Sequence, residues 1–206
     1  MATAVMALTG EPGAGKSTAA RWFADAGAVL LDADAIVREM WNGEELLSAA
    51  RSRWGGDVFS PDGSIDKRAV SARVFSDDEE YRWLCGVTQP IVMENMKASL
   101  PADGIAVAEI PMLFEVGRPD WVDKVLFMTA GGRQRAERNS FRGLDAAELS
   151  RREKYFLPRE ERMSLSDWVI CNDGTLEQLA EKLRGIWREI SALFAERKKA
   201  EAGDIR

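Results

Sequence analysis

Residues 4–18 (AVMALTGEPGAGKST) constrain this chain more than any other stretch. An apolar run of strand length breaks at Gly10, a helix-forming run starts at Lys16, and the two are joined by the pattern G-x-x-x-x-G-K-S. Gly10, Gly13 and Gly15 permit backbone angles that a Cβ resists, so the N–H groups through Gly13, Ala14 and Gly15 can turn inward around a polyphosphate. The helix adds its free N-terminal N–H groups and the positive end of its dipole. Lys16 is then placed to bridge the β- and γ-phosphates, and the Ser17 hydroxyl to ligate the Mg²⁺ that accompanies a nucleoside triphosphate. Thr18 either touches the α-phosphate or caps the first helical turn.

A phosphate loop alone does not say what surrounds it, and composition narrows this. At 206 residues, with 46% hydrophobic and 30% charged, the chain is long enough for one globular unit with appendages. Its apolar runs fall far short of the ~20 residues that span a bilayer, and its start lacks a basic leader, so a cytoplasmic protein without membrane span or secretory signal is expected. Cys85 and Cys171 stand in no metal or redox spacing and read as reduced, small buried hydrophobes. Histidine is absent, which excludes a Ser-His or Cys-His nucleophile and a His-ligated zinc; a general base must be a carboxylate, lysine or tyrosine. The net charge of −6 argues against a nucleic-acid backbone as main partner.

Along the chain, apolar runs alternate with helical stretches, the pattern of a parallel α/β sheet. Residues 28–31 read as a short buried strand ending in Asp32-Ala33-Asp34, with a helix from Ala35 to about Trp41. Ligands of such sheets bind beyond the carboxyl ends of the strands, so Asp32 and Asp34 are candidates for the site. If strand geometry persists they share one side, and the alternative for Asp34 is a helix cap. Residues 42–100 carry broken helical patterning and read as an inserted helical subdomain. Residues 105–110 form an inner strand that delivers Pro111-Met112-Leu113-Phe114-Glu115 to the same edge; Glu109 either orients a Mg²⁺-bound water or makes a structural hydrogen bond. Residues 124–128 and 167–171 supply the fourth and fifth strands. A last helix runs from 175 to about 195, and the polar tail is expected to fray.

Between the last two strands, residues 133–162 hold eight arginines and Lys154 against six acids, leaving +3 there and −9 elsewhere. A solvated basic helix pair and a lid over the triphosphate both account for this; the lid is favoured, with Arg138 and Arg142, one helical turn apart, as its best pair.

These residues, taken in order, resemble the dephospho-CoA kinase family: the phosphate loop, Asp32-Ala33-Asp34 with Arg38 four residues on, Pro111 to Glu115, the arginine-rich segment, and VICNDG at 169–174. The resemblance implies a three-layer α/β/α P-loop NTPase with a five-stranded parallel sheet, in which residues 1–41, 101–132 and 163–206 form the nucleotide-binding core. Residues 42–100 would form the CoA-substrate subdomain and 133–162 the lid. It implies Asp34 as catalytic base, supported by Lys16, Arg138 and Arg142. Asn172 and Gly174 would form the adenine-side turn, and Asp32, Arg38, Gln89, Pro111, Leu113 and Glu115 would face dephospho-CoA. ATP and Mg²⁺ follow as donor and metal. The family usually has His-Pro at Gln89-Pro90, Gln-x-Pro at Phe156-Leu157-Pro158, Asp at Gly143, and smaller residues at Glu11 and Pro12. The rivals are a kinase for another small hydroxyl substrate and a nucleotide-binding regulator without transferase activity.

Overall fold

The computed structural model describes residues 2–141, 143 and 145–203. In chain order its elements are β1 (Thr3–Gly10), α1 (Lys16–Asp25), β2 (Val29–Asp32), α2 (Ala33–Met40), α3 (Glu44–Trp54), α4 (Lys67–Val74) and α5 (Asp78–Ala98). There follow β3 (Gly104–Glu109), α6 (Leu113–Val116), β4 (Lys124–Thr129), α7 (Gly132–Ser140), α8 (Ala146–Glu153), α9 (Arg159–Ser164), β5 (Trp168–Cys171) and α10 (Leu176–Gly203).

The five strands form one parallel sheet in the order β2-β3-β1-β4-β5. This confirms the α/β fold read from the sequence, with β1, the strand that carries the phosphate loop, at the centre. Inner strands are buried on both faces, which is why β1, β3 and β4 read as continuous apolar runs. Ala4, Met6 and Leu8 pack with Leu126, Met128, Phe23 of α1, and Leu183 and Ile190 of α10. The intervening Val5 and Ala7, with Val125 and Phe127, are buried on the opposite face. The expectation that β2 is buried is corrected: it is an edge strand, and Val29 and Leu30 are 42% and 37% exposed. Cys171 is likewise exposed rather than buried, because it ends the other edge strand; Cys85 is half-buried.

Contacts divide the chain into a unit of residues 1–32 with 96–206 and a unit of residues 33–95. The second has its own core, in which Trp41, Leu46, Ala50, Trp54, Val58, Val70 and Val74 meet. Asp66 caps α4 by accepting from the N–H groups of Arg68 and Ala69. The acidic start of α5 has more to do than complement the dipole, since Glu80 takes hydrogen bonds from Arg53 Nε (2.8 Å) and Trp54 Nε1 (2.7 Å).

The expected fraying of the tail is corrected as far as residue 203; residues 204–206 lie outside the described residues. Helix α10 continues to Gly203, and charge replaces the apolar face that ends at Phe194. Arg197 bridges Thr3 O (2.6 Å) and the Asp123 carboxylate, and Lys198 reaches Asp103 Oδ2 at 2.7 Å. None of the helices among the described residues is long and apolar enough to cross a membrane.

Candidate active site

The phosphate loop leaves the central strand at Gly10, where φ is +139° and a Cβ would collide with the Met128 carbonyl on the neighbouring strand. Only glycine lets the chain turn there while Glu11 N donates to Met128 O at 3.0 Å. Gly15 (φ +96°) precedes α1 and packs against the Asn172 side chain, which donates to Ala14 O at 2.8 Å. The turn after β5 is thereby pinned to the loop. Ala14 is fully buried, Lys16 half-buried, and Ser17 and Thr18 exposed. Lys16 Nζ donates to Gly10 O (3.0 Å) and Glu11 O (3.1 Å), so its ammonium lies across the loop.

Arg138 on α7 donates from one nitrogen to Gly13 O and from the other to Asn172 O, each at 3.1 Å. One guanidinium thus spans the loop and the turn. Its expected partner Arg142 lies outside the described residues. A cavity of about 560 Å³ opens beside them, lined by Gly13, Gly15, Thr18, Arg138, Phe141 and the turn from Asn172 to Leu176. Phe141 and Leu176, 92% and 70% exposed, offer apolar surface to it. Phe141 did not stand out in the sequence, and Leu176, whose helical spacing with Leu179 and Leu183 reads as a face packed on the sheet, is corrected to an exposed position at the start of α10. In the same turn, the Cys171 thiol and Gly131 N–H donate to the Asp173 carboxyl and hold it below its ordinary range, and the hydrogen bond that the thiol gives Asp173 pushes the thiol up.

A second cavity of about 190 Å³ is lined by Ser17, Arg21, Asp32, Glu109 and apolar neighbours. Asp32 and Glu109 are register partners at the carboxyl ends of β2 and β3, so two carboxylates and the Ser17 hydroxyl line one pocket. These are hard oxygen donors of the kind Mg²⁺ takes. Strand alternation does not place Asp34 beside Asp32, as expected, because the strand stops at Asp32 and α2 starts at Ala33. Asp34 therefore sits inside the first turn of α2, not at the cap before it, with its exposed carboxylate at the positive end of the helix. Arg38 is exposed in the last turn, and Gln89 is half-buried in α5 beside Pro90.

The turn after β3 is built from its own side chains. Pro111 O accepts from Thr9 Oγ1 at 3.1 Å, Leu113 is fully buried, and Glu115 Oε1 accepts from Leu157 N at 2.8 Å. Sequence reasoning missed Arg135 and Arg162. Arg135 joins Glu11 and Glu153, and Arg162, 5% exposed, lies over the rings of Phe127 and Phe156. Among eight arginines in one basic segment, nothing in the sequence singles these two out.

A phosphate loop on the central strand of a 2-3-1-4-5 parallel sheet, clasped by an arginine of the helix after β4, defines a P-loop kinase of small molecules. Residues 4–178 match the sequence model of dephospho-CoA kinase, and the chain belongs to that family. It is 35% identical to the dephospho-CoA kinase of Leifsonia xyli, the match covering 89% of this chain and 96% of that protein. It is 34% identical to that of Mycolicibacterium paratuberculosis over 91% of this chain, which spans about half (47%) of that longer protein. Among solved structures, a Thermus thermophilus protein matches with a TM-score of 0.74 and 32% identity, covering 92% of this chain and 98% of the other.

Proposed function

We propose that this protein transfers the γ-phosphoryl group of ATP to the ribose 3′-hydroxyl of dephospho-CoA, giving CoA and ADP. The observation that carries the reading is the assembled nucleotide grip: a loop, a lysine, an arginine and the Asn172 turn held around one another, in a chain of the dephospho-CoA kinase family. Lys16 exchanges its loop carbonyls for β- and γ-phosphate oxygens, which hold it more strongly because they are charged. Ser17, with Asp32 and Glu109 behind it, would hold Mg²⁺, which when bound offsets the negative charge of the triphosphate. The base of the nucleotide enters the 560 Å³ cavity beside Asn172 and Gly174.

Asp34 accepts the proton of the 3′-hydroxyl as that oxygen attacks, the only kind of group available for this in a chain without histidine besides lysine and tyrosine. Arg138, with Arg142, neutralises charge on the transferring group, and the segment 133–162 acts as a lid that keeps water from competing with the acceptor. Residues 33–95 take up the CoA moiety through Arg38 and Gln89, with Pro111, Leu113 and Glu115 shaping the acceptor side. A cytoplasmic setting suits both substrates.

The test is CoA formation from dephospho-CoA and Mg·ATP by the purified protein. Stoichiometric CoA and ADP support the reading. ATP binding without CoA formation overturns it and calls for a panel of other small hydroxyl acceptors.

A further inference from the structure

Arg135 lies in the first half of α7 with only 13% of its side chain exposed, and its guanidinium meets three acceptors on two segments of chain. Nε donates to Pro12 O at 3.1 Å, Nη1 to Glu11 Oε1 at 2.8 Å, and Nη2 to Glu153 Oε1. Pro12 and Glu11 belong to the phosphate loop, and Glu153 is the last residue of α8. Glu11 is itself fixed from the other side, since its Oε2 accepts from the Thr129 hydroxyl at the end of β4. The loop carbonyl of Glu11 also receives Lys16 Nζ, so the residue gripped by Arg135 is one that positions the phosphate-binding lysine.

We infer that Arg135 is a positioning residue that couples the lid to the phosphate loop, holding α8 in place only when Glu11 and Pro12 have the conformation that binds phosphate. The inference rests on the kinase reading above. Arg135 does not reach phosphate through these contacts, because its three nitrogens are directed at protein acceptors. A buried carboxylate at the second position of the loop, where small residues serve phosphate binding equally well, is accounted for by this role: it gives Arg135 a charged partner in the loop. Glu153 gives it one in the lid, and fork geometry lets a single guanidinium serve both, which a lysine cannot do.

The coupling separates two readouts that a merely structural ion pair would not. Glu153→Gln in the full chain breaks the lid arm and leaves the loop arm. It is expected to keep the ATP dissociation constant within about twofold of wild type, while turnover of dephospho-CoA falls about tenfold. Water then competes for the phosphoryl group, so the ratio of ADP to CoA rises above one. Arg135→Lys, which retains charge but not the fork, is expected to weaken ATP binding and turnover together. Thermal melting of each variant checks folding, and wild-type CoA production checks the kinase reading independently. Glu153→Gln with wild-type turnover and one ADP per CoA overturns the coupling. So does Arg135→Lys that lowers only the melting temperature.

Discussion

At the scale of single residues, two glycines with the same backbone sign separate strain from function. Gly15 and Gly27 both have positive φ, +96° and +108°, so an alanine at either costs about 1–2 kcal/mol in backbone strain. A Cβ at Gly27 meets nothing within 4 Å, whereas at Gly15 it drives into the Asn172 amide that holds Ala14 O. Gly27→Ala is therefore expected to lower the melting temperature and leave ATP affinity unchanged. Gly15→Ala is expected to weaken ATP binding by about tenfold or more, because the cost appears in the loop that must wrap the phosphates. Titration calorimetry of both variants with Mg·ATP checks the contrast; equal losses of affinity would remove the Asn172 turn from nucleotide binding.

At the scale of elements, the junction of β4 and β5 shows how an edge strand is held. Burial alone would raise the Asp167 carboxyl, but the Lys124 ammonium, the Val125 N–H and the Arg118 guanidinium outweigh it and hold the carboxyl below its ordinary range. The bonds from Lys124 Nζ and Val125 N are both 2.8 Å, and Asp167 N returns one to Val125 O at 3.0 Å. A carboxyl lowered in the folded state binds fewer protons there than in the unfolded chain. Its stabilisation is thus full above the ordinary aspartate value of about 3.9 and is lost as pH falls through the folded one. Asp167→Asn is expected to cost about 1–2 kcal/mol at pH 7. That is roughly 3–6 °C for a chain of this size. The gap to wild type narrows as pH falls below about 3.9, which melting curves from neutral to acid pH would show.

Which elements were legible in the sequence follows the same division between local and distant causes. The phosphate loop and the inner strands could be read because their periodicity and glycine pattern are local; the compact unit of residues 33–95 has other bounds than the 42–100 stretch read from the sequence. The exposure of Val29, Leu30 and Cys171 could not, since strand order, not strand composition, puts β2 and β5 at the edges. The persistence of α10 was hidden for a related reason: Arg197 finds Asp123 and Thr3, and Lys198 finds Asp103, across long stretches of sequence. Truncation after residue 195 is expected to remove these pairs, lower the melting temperature by a few degrees and leave ATP affinity intact, since the Lys198–Asp103 pair is exposed and neither pair touches the phosphate loop. Within the site, the sequence singled out Lys16 by motif spacing and Asn172 only through the family resemblance. Arg135 was not, because its role depends on which carboxylates the fold brings to it.

At the scale of the whole molecule, the proposed chemistry has two parts, nucleotide grip and proton removal. The triphosphate grip lies within residues 1–32 and 96–206, and the proposed base Asp34 opens the unit of residues 33–95. Nucleotide binding and proton removal should therefore be separable by mutation, and ligand-induced stabilisation gives a direct measure. A ligand that binds only the folded state at about 100 times its dissociation constant adds about 2.7 kcal/mol. In a chain of this length that is roughly 5–10 °C. Mg·ATP is expected to raise the melting temperature of wild type and of Asp34→Asn by the same amount, while CoA formation by the variant falls about 10²- to 10⁴-fold. Lys16→Ala is expected to lose both the thermal shift and the activity, because the ammonium held over Gly10 O and Glu11 O serves the phosphates and the transfer alike. If Asp34→Asn instead lost the ATP-dependent shift, Asp34 would act in holding the nucleotide, through its metal or its phosphates, and the acceptor proton would have to leave by another carboxylate, a lysine or a tyrosine.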